Sequence, residues 1–182
     1  MTKDIRLYLE NQHSDKIKSL KDISYDSANG EYLSNLTEQC MDYDKVIANI
    51  CCGDTLASAD AIYFKDNKIC FIEFKNGKIF DGSGKEQRRQ IKLKITEGSC
   101  IGLYEIARLA GMNMDFGDII NIEKMYLVVY NQDKLSTNAD KIRAHMNSKL
   151  GLLIYKGTFL NEIEIVNSTT FDRVFKGKVL WN

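Results

Sequence analysis

The spacing of apolar residues along the first half of the chain separates helices from strands. Between residues 31 and 44 the apolar positions are three, four and three residues apart, the repeat of one helix face, so a helix is predicted there. The short β-branched segment 45–52 predicts a strand. Two more strands, 59–64 and 69–75, are separated by polar residues 65–68, which predict a hairpin turn.

A longer helical repeat follows. One helix is predicted over residues 84–110, and its apolar stripe includes Gly98 and Gly102, which predict close packing against a neighbour. Gly111 stands where a glycine often ends a helix. The remaining predicted elements are a buried strand over 125–130, a helix over 136–150, strands over 151–155 and 163–166, and a final short helix capped by Ser168.

This order of elements predicts an α/β fold with a mixed sheet and helices on both faces. The 182 residues fit one domain. Its core is expected at residues 31–130, as a helix, three strands, a helix and a strand. Residues 1–30 are expected to form a small helical addition, and residues 131–182 an addition of helices and strands.

Three ionisable residues fall on one face of the predicted hairpin. Side chains alternate between the two faces of a strand, and directly opposed residues share a face. Asp60 is therefore expected opposite Glu73, with Lys75 two positions further on. Their neighbours are apolar, so this face is expected to be covered, and two like charges there destabilise the fold unless a cation compensates them.

A divalent cation is the simplest compensation. Mg²⁺ prefers oxygen ligands and commonly uses one or two carboxylates together with substrate phosphate and water, so Asp60 and Glu73 are candidate ligands. Lys75 is a candidate for stabilising the charge that develops on a phosphate. Because the chain has two histidines and no Cys-x-x-Cys motif, it offers no comparable zinc site.

Asp60, twelve intervening residues and then Glu73-Phe74-Lys75 resemble the motif of the PD-(D/E)XK nuclease superfamily. The resemblance covers residues 31–130 and implies a restriction-endonuclease-like core. It implies that Asp60 and Glu73 bind Mg²⁺ or Mn²⁺, assisted by the backbone carbonyl of Phe74, and that Lys75 is the catalytic lysine. The implied activity is metal-dependent phosphodiester hydrolysis, on DNA in preference to RNA. A phage or defence setting and a homodimer or protein partner are further implications.

Two features of the superfamily lack a firm counterpart. A glutamate on the first helix often completes its metal site, and Glu31 and Glu38 are the candidates, although the predicted helix turns both away from its core face. The Gln-x-x-x-Tyr motif of an exonuclease-like subgroup is not matched at Gln87 or Gln90.

The charge distribution excludes a general attraction for nucleic acid. Lysine plus arginine and aspartate plus glutamate both number 25, so any basic surface must be local. The one concentrated basic run, residues 85–94, either contacts a phosphate backbone or forms the solvated face of a helix. A charged N-terminal segment and the lack of a long apolar run predict a cytoplasmic protein without membrane contact.

Two interpretations compete with a nuclease. Asp60, Glu73 and Lys75 could form a solvated cluster at the open end of the hairpin. Alternatively, the same scaffold serves as a non-catalytic interaction protein, such as an inhibitor, an immunity partner or an assembly subunit, which the neutral overall charge favours.

Overall fold

The computed structural model describes residues 1–51, 56–77, 79–80, 85–134 and 150–176. They form a six-stranded mixed sheet flanked by helices, with a separate two-stranded hairpin. The predicted α/β class is confirmed. Among these residues, no helix combines the length and the apolar character needed to cross a membrane.

The sheet combines antiparallel and parallel pairing. Its strand order is β1-β4-β5-β6-β7-β8, with the first four strands antiparallel and β6, β7 and β8 parallel. The strands are β1 (Ile17–Ser19), β4 (Gln39–Asp42), β5 (Ala61–Lys65), β6 (Lys68–Lys75), β7 (Lys124–Tyr130) and β8 (Glu162–Asn167). The separate hairpin consists of β2 (Tyr25–Asp26) and β3 (Glu31–Tyr32).

Helices cover both faces of this sheet. They are α1 (Thr2–Gln12), α2 (Leu20–Ile23), α3 (Tyr43–Ile50), α4 (Lys85–Thr96), α5 (Leu103–Leu109), α6 (Phe116–Asn121) and α7 (Ser168–Lys176). A π-helical segment, Glu97–Gly102, joins α4 to α5. One core contains Ile62 and Phe71 together with residues of α1, α3, α4 and α5, and the other contains Ala61 and Ile72 with residues of α2 and α7. The predicted burial of both faces of the hairpin is confirmed.

The hairpin β5–β6 has the predicted register. Ile62 lies opposite Phe71, and Phe64 lies opposite Ile69. Asp66 turns the chain with a φ of 53°, in the left-handed region that aspartate tolerates. Regular pairing begins at Ala61, so the candidate residue Asp60 immediately precedes the strand.

The helix predicted over residues 31–44 is wrong. The chain forms the short strands β3 and β4 there, and α3 begins only at Tyr43. Cys40 packs in the core on one face of the sheet and Met41 in the core on the other. A strand that is buried on both faces shows no alternation of apolar and polar residues, so the spacing matched a helix by coincidence.

The strand predicted over residues 45–52 is also wrong, because most of this segment is helix α3. The Asp42 side chain accepts a hydrogen bond from the backbone N of Lys45 at 3.3 Å, which caps the helix. Val46 and Ile47 are fully buried on its inner face. The N-cap and the helical spacing therefore outweigh the β-branched composition, and Cys52 lies outside the described residues.

The helical run predicted from 84 to 110 is confirmed over its described part, with the π-helical segment inside it. A Cβ atom on Gly98 would lie 2.9 Å from the Cα of Ser58, and one on Gly102 would lie 2.9 Å from the hydroxyl oxygen of Tyr43 on α3. The predicted close packing at both glycines is therefore confirmed. Gly111, with a φ of 71°, follows the end of α5 as predicted.

The C-terminal third matches the prediction in part. Strands β7 and β8 and helix α7 lie where they were predicted, although the cap of α7 is Asn167, which accepts a hydrogen bond from Thr170 N at 2.7 Å. The strand predicted over 151–155 is wrong: Leu153–Tyr155 is a 3₁₀ turn, preceded by Gly151 with a φ of 58°. The helix predicted over 136–150 falls outside the described residues except for its last position. At the other end, residues 1–30 add β1 and β2 to the predicted helices.

Candidate active site

Asp60 is held in place by three hydrogen bonds at the start of β5. Its backbone carbonyl accepts one from Tyr43 N at 3.0 Å. Its Oδ2 atom accepts one from Phe74 N at 2.6 Å, and its Oδ1 atom accepts one from Lys94 Nζ at 3.2 Å. The carboxylate is thereby fixed beside the strand that carries Glu73 and Lys75.

Glu73 is fully buried on β6, with 0% of its side chain exposed. Its Oε2 atom accepts a hydrogen bond from Lys94 Nζ at 2.9 Å. The Nζ atom of Lys75 lies 2.6 Å from Oε1, but outside hydrogen-bond geometry. Within the described residues, Oε1 is therefore a buried carboxylate oxygen that pairs with a positive charge but accepts no hydrogen bond.

The structure thus brings the three predicted site residues together and adds a fourth, Lys94. Sequence reasoning placed Lys94 only within the basic run, yet its side chain is 17% exposed and bridges both carboxylates. One signal could have identified it. Lys94 stands between Ile91 and Ile95 in the buried stripe of α4, a position at which a lysine needs an acidic partner.

The electrostatics of the site show that the Asp60 carboxylate is not fully compensated. Burial, followed by the negative charge of Glu73, raises the pKa of Asp60 to about 6, although Lys94 and Lys75 act in the opposite direction. Burial would lower the pKa of Lys94, but the charges of Glu73 and Asp60 outweigh it and raise that pKa. The pocket therefore still favours additional positive charge or a proton.

Phe74 contributes to the site through its backbone. Its N–H donates to Asp60, while its ring lies on the opposite face of the sheet, 5.7 Å from the ring of Phe171 between centroids. The implied role of its carbonyl as a metal ligand stays a prediction.

A buried hydroxyl faces the same side of the sheet as Glu73. Tyr126 pairs with Phe71 across β6 and β7, two positions before the pair of Glu73 and Val128, so the two side chains share a face. The Tyr126 hydroxyl is buried and has no hydrogen-bond partner among the described residues. Burial first, and then Glu73 and Asp60, raise its pKa. The base of the site therefore holds an unused hydrogen-bond donor.

Two clefts open onto this group of residues. The first, which we call the hairpin cleft, has a volume of ≈ 210 Å³ and is lined in part by Tyr25, Asp26, Asp60 and Asn76. The second, the helix cleft, has a volume of ≈ 480 Å³ and reaches Lys94. A small group can thus approach the Asp60 carboxylate from the hairpin cleft.

Neither candidate for a first-helix glutamate lies on a helix, because the helix predicted over residues 31–44 does not form. Glu31 is on β3, where its Oε2 atom accepts a hydrogen bond from Asn76 Nδ2 at 3.0 Å. Glu38 precedes β4, and its backbone carbonyl accepts from Leu20 N at 3.0 Å. Because the chain here is extended, the helical face assumed for both residues does not exist. Glu31 nevertheless contacts the residue that directly follows Lys75.

Three basic residues of the run 85–94 differ in their surroundings, and the contact of this run with a phosphate backbone stays a prediction. Arg89 is solvated and pairs with Glu86 over 3.0 Å. Arg88 donates to the carbonyl of Ile79 at 2.9 Å. Lys94 alone among these three basic residues contacts the candidate site.

The donor set agrees with a hard divalent cation. Asp60 and Glu73 supply carboxylate oxygens, the number and kind that Mg²⁺ commonly takes from a protein, and Glu73 Oε1 accepts no hydrogen bond. A larger cluster, with three or more His, Cys, Asp or Glu side chains, is not found in the described part of the chain. The two residues are therefore the candidate ligands that the geometry offers.

Comparison of the chain with protein-family models, with curated proteins and with solved structures finds no match. A function for this protein therefore has to be argued from the geometry of Asp60, Glu73, Lys75 and Lys94.

Proposed function

We propose that this protein is a Mg²⁺- or Mn²⁺-dependent phosphodiesterase that acts on nucleic acid, DNA in preference to RNA. The observation that carries the proposal is the convergence of Asp60, Glu73 and Lys75 in one buried pocket, with Glu73 Oε1 accepting no hydrogen bond. Asp60, whose pKa is raised to about 6 by burial and then by the charge of Glu73, lies in a site that favours a divalent cation.

The topology supports a PD-(D/E)XK-type core. Strands β4, β5 and β6 form an antiparallel series, and α4 and α5 then cross to the parallel strand β7. This arrangement supports the three-strand, helix, strand order that the resemblance implies, although β4 lies within the segment that was predicted as a helix. It differs by the helix α3 between β4 and β5, and by the extended segment in place of the predicted first helix.

Each residue has a distinct role in this proposal. Asp60 and Glu73 would hold the cation, which when bound supplies Lewis-acid polarisation of a phosphoryl oxygen. Lys75, 18% exposed and beside Glu73, is placed to neutralise charge on the phosphate. Lys94 compensates the carboxylates and keeps them at a fixed separation.

Calorimetry and cleavage assays test the proposal together. The wild type should bind Mg²⁺ or Mn²⁺ and cleave DNA only with metal present, and Asp60→Asn should weaken metal binding by about tenfold or more. Lys75→Ala should lose cleavage while it retains metal binding. Asp133→Asn, an exposed aspartate outside the site, is the control. A wild type without metal-dependent cleavage, and indistinguishable from Lys75→Ala, would refute the proposal.

The second candidate is a non-catalytic interaction protein on the same scaffold, and one observation favours it. The ammonium of Lys94 already bridges both carboxylates, so one of the protein's own lysines occupies the position between them that a metal ion would take. An absence of Mg²⁺ affinity in the wild type, together with a co-purifying protein partner, would support this candidate. A measurable Mg²⁺ affinity that Asp60→Asn abolishes would exclude it.

A further inference from the structure

The hairpin β2–β3 presents two tyrosines at the surface. Tyr25 and Tyr32 are opposed in the hairpin, with ring centroids 4.7 Å apart and ring planes at 40°. Their exposures are 47% and 49%, although aromatic rings are usually buried more completely. The hairpin therefore exposes two aromatic rings, tilted against each other, to water.

This hairpin is anchored to the strand end that bears Lys75. Asn76 directly follows Lys75, is 7% exposed, and donates from Nδ2 to Asp26 at 2.9 Å and to Glu31 at 3.0 Å. Asn131, which follows β7, donates to Asn76 Oδ1 at 2.7 Å. The tyrosines are thus held at a fixed position relative to the candidate active site.

The same surface leads into the hairpin cleft, whose lining includes Asp26 and Asp60, and one lysine lies over a tyrosine ring. A cation held at Asp60, as proposed above, would offset these negative charges. Tyr25 and Asp60 both line this cleft. The Nζ atom of Lys21 lies 5.0 Å from the centroid of the Tyr32 ring. Aromatic faces beside cationic groups are the features with which proteins bind unpaired nucleic-acid strands, because bases stack on the rings while phosphates attract the cations.

We propose that Tyr25 and Tyr32 form a stacking platform for an unpaired base of a DNA strand whose phosphodiester enters the hairpin cleft. This inference rests on the proposed function and names its substrate class: single strands, or frayed strand ends. The bases of an intact duplex are stacked within the helix and cannot reach such a platform. A purely structural role, in which the tyrosines only hold a two-residue hairpin together, is the alternative.

Binding is measured without cleavage, with Ca²⁺ in place of Mg²⁺ so that a cation still offsets Asp26 and Asp60, by the fluorescence anisotropy of a labelled oligothymidylate. The double variant Tyr25→Ala/Tyr32→Ala should bind about tenfold or more weakly than the wild type. The double variant Tyr25→Phe/Tyr32→Phe keeps both ring faces and should bind like the wild type. Phe116→Ala, at another exposed aromatic residue that lies outside the hairpin cleft, is the control and should not change the affinity.

A tryptophan probe separates stacking from hairpin stability, because alanine could loosen the hairpin. In a Trp181→Phe background, Tyr25→Trp leaves one tryptophan, which lies on the platform. Titration with single-stranded DNA should quench its fluorescence, and the blunt duplex of the same sequence should not. Equal quenching by single-stranded RNA also supports the platform, since stacking recognises the base and not the sugar.

Three results would overturn the inference: unchanged affinity in the double alanine variant, equal affinity for blunt duplex, or no nucleic-acid binding by the wild type. Hydrolysis of bis(p-nitrophenyl) phosphate, which has no base to stack, tests the proposed function separately. One outcome is that the ester is hydrolysed with metal while the platform variants bind the oligonucleotide like the wild type. That outcome supports the proposed function and contradicts the platform. Binding that depends on the two tyrosines, without any metal-dependent hydrolysis, supports the platform and contradicts the proposed function.

Discussion

Lys94 donates a hydrogen bond of 2.9 Å to the fully buried carboxylate of Glu73, although one residue is on helix α4 and the other on strand β6. The same ammonium contacts Asp60 at 3.2 Å. Burying such a pair costs desolvation that its attraction only partly recovers, so it adds little stability compared with apolar packing. Removing Lys94 alone should lower the stability much more, because it leaves the buried carboxylates without their counter-charge.

The first prediction follows from this asymmetry. Lys94→Met should lower the free energy of unfolding by about 3 kcal/mol in urea denaturation at neutral pH, because Glu73 and Asp60 lose a shared cation. Added Mg²⁺ should restore more stability to this variant than to the wild type, since a divalent cation can take the place of the ammonium.

Lys92→Met on the same helix provides the control, because Lys92 contacts neither Asp60 nor Glu73 among the described ion pairs and hydrogen bonds. Equal effects of the two substitutions would contradict the bridging role. An identical response to Mg²⁺ in wild type and Lys94→Met would show that the metal and the lysine do not share a position.

The second prediction concerns pH. Burial and Glu73 raise the pKa of Asp60 from 3.8 to about 6 in the folded protein, so the folded state holds this proton more tightly than the unfolded chain. The contribution of Asp60 to stability is therefore greatest when it is protonated, and it falls as pH rises through this window. The amide side chain of the Asp60→Asn variant cannot ionise, so this variant should gain about 2 to 3 kcal/mol relative to the wild type between about pH 4 and pH 7.

Urea denaturation of both proteins across that range measures the difference. The exposed Asp133→Asn is the matched control and should run parallel to the wild type. A constant difference between Asp60→Asn and the wild type at every pH would mean that burial does not shift the titration of Asp60.

The third prediction compares two buried tyrosines of one core. Tyr43 donates from its hydroxyl to the carbonyl of Gly98 at 2.7 Å, whereas the hydroxyl of Tyr126 has no partner among the described residues. Tyr43→Phe should therefore cost about 1 kcal/mol, and Tyr126→Phe should be neutral or stabilising. Thermal or urea denaturation distinguishes the two. A loss in Tyr126→Phe as large as that in Tyr43→Phe would mean that a bound water or ion satisfies this hydroxyl in solution.

The fourth prediction tests the packing that positions α4. A Cβ atom on Gly98 would lie 2.9 Å from the Cα of Ser58, which is two residues before Asp60. Gly98→Ala should destabilise the protein by about 1 to 3 kcal/mol, despite the better helix propensity of alanine, because backbone cannot move aside as a flexible side chain can. It should also weaken metal binding. An unchanged unfolding midpoint would show that the contact has room to relax.

The register of the β5–β6 hairpin could be predicted from the sequence because it depends on local information. The turn at Asp66 and the two-residue period of the strands determine which side chains share a face, and so Asp60, Glu73 and Lys75 were brought together correctly. Their chemical roles do not follow from this register and stay predictions.

The buried stripe of α4 indicates that Lys94 needs an acidic partner, but it does not identify Asp60 and Glu73 as those partners. The direction of the Lys94 side chain depends on how α4 is rotated against the sheet. That rotation depends on the contact of Gly98 with Ser58, forty residues earlier in the chain. The helix predicted over residues 31–44 is wrong for a related reason. Elements distant in sequence bury Cys40 and Met41 on opposite faces of the sheet. Tertiary packing thus overrides local periodicity at both places.

The π-helical segment Glu97–Gly102 affects the direction in which the side chain of Lys94 points. Such a bulge contains one residue more than an α-helix of the same rise, and each residue of an α-helix turns the next by about 100°. Leu103 and Ile106 fix α5 in the core. Deleting one residue within 97–102 would therefore rotate α4 about its axis, and Lys94 would point away from the two carboxylates that it bridges. The orientation of Lys94 toward Asp60 and Glu73 therefore depends on one additional residue in the π-helical segment. That residue does not itself contact either carboxylate in the described part of the chain.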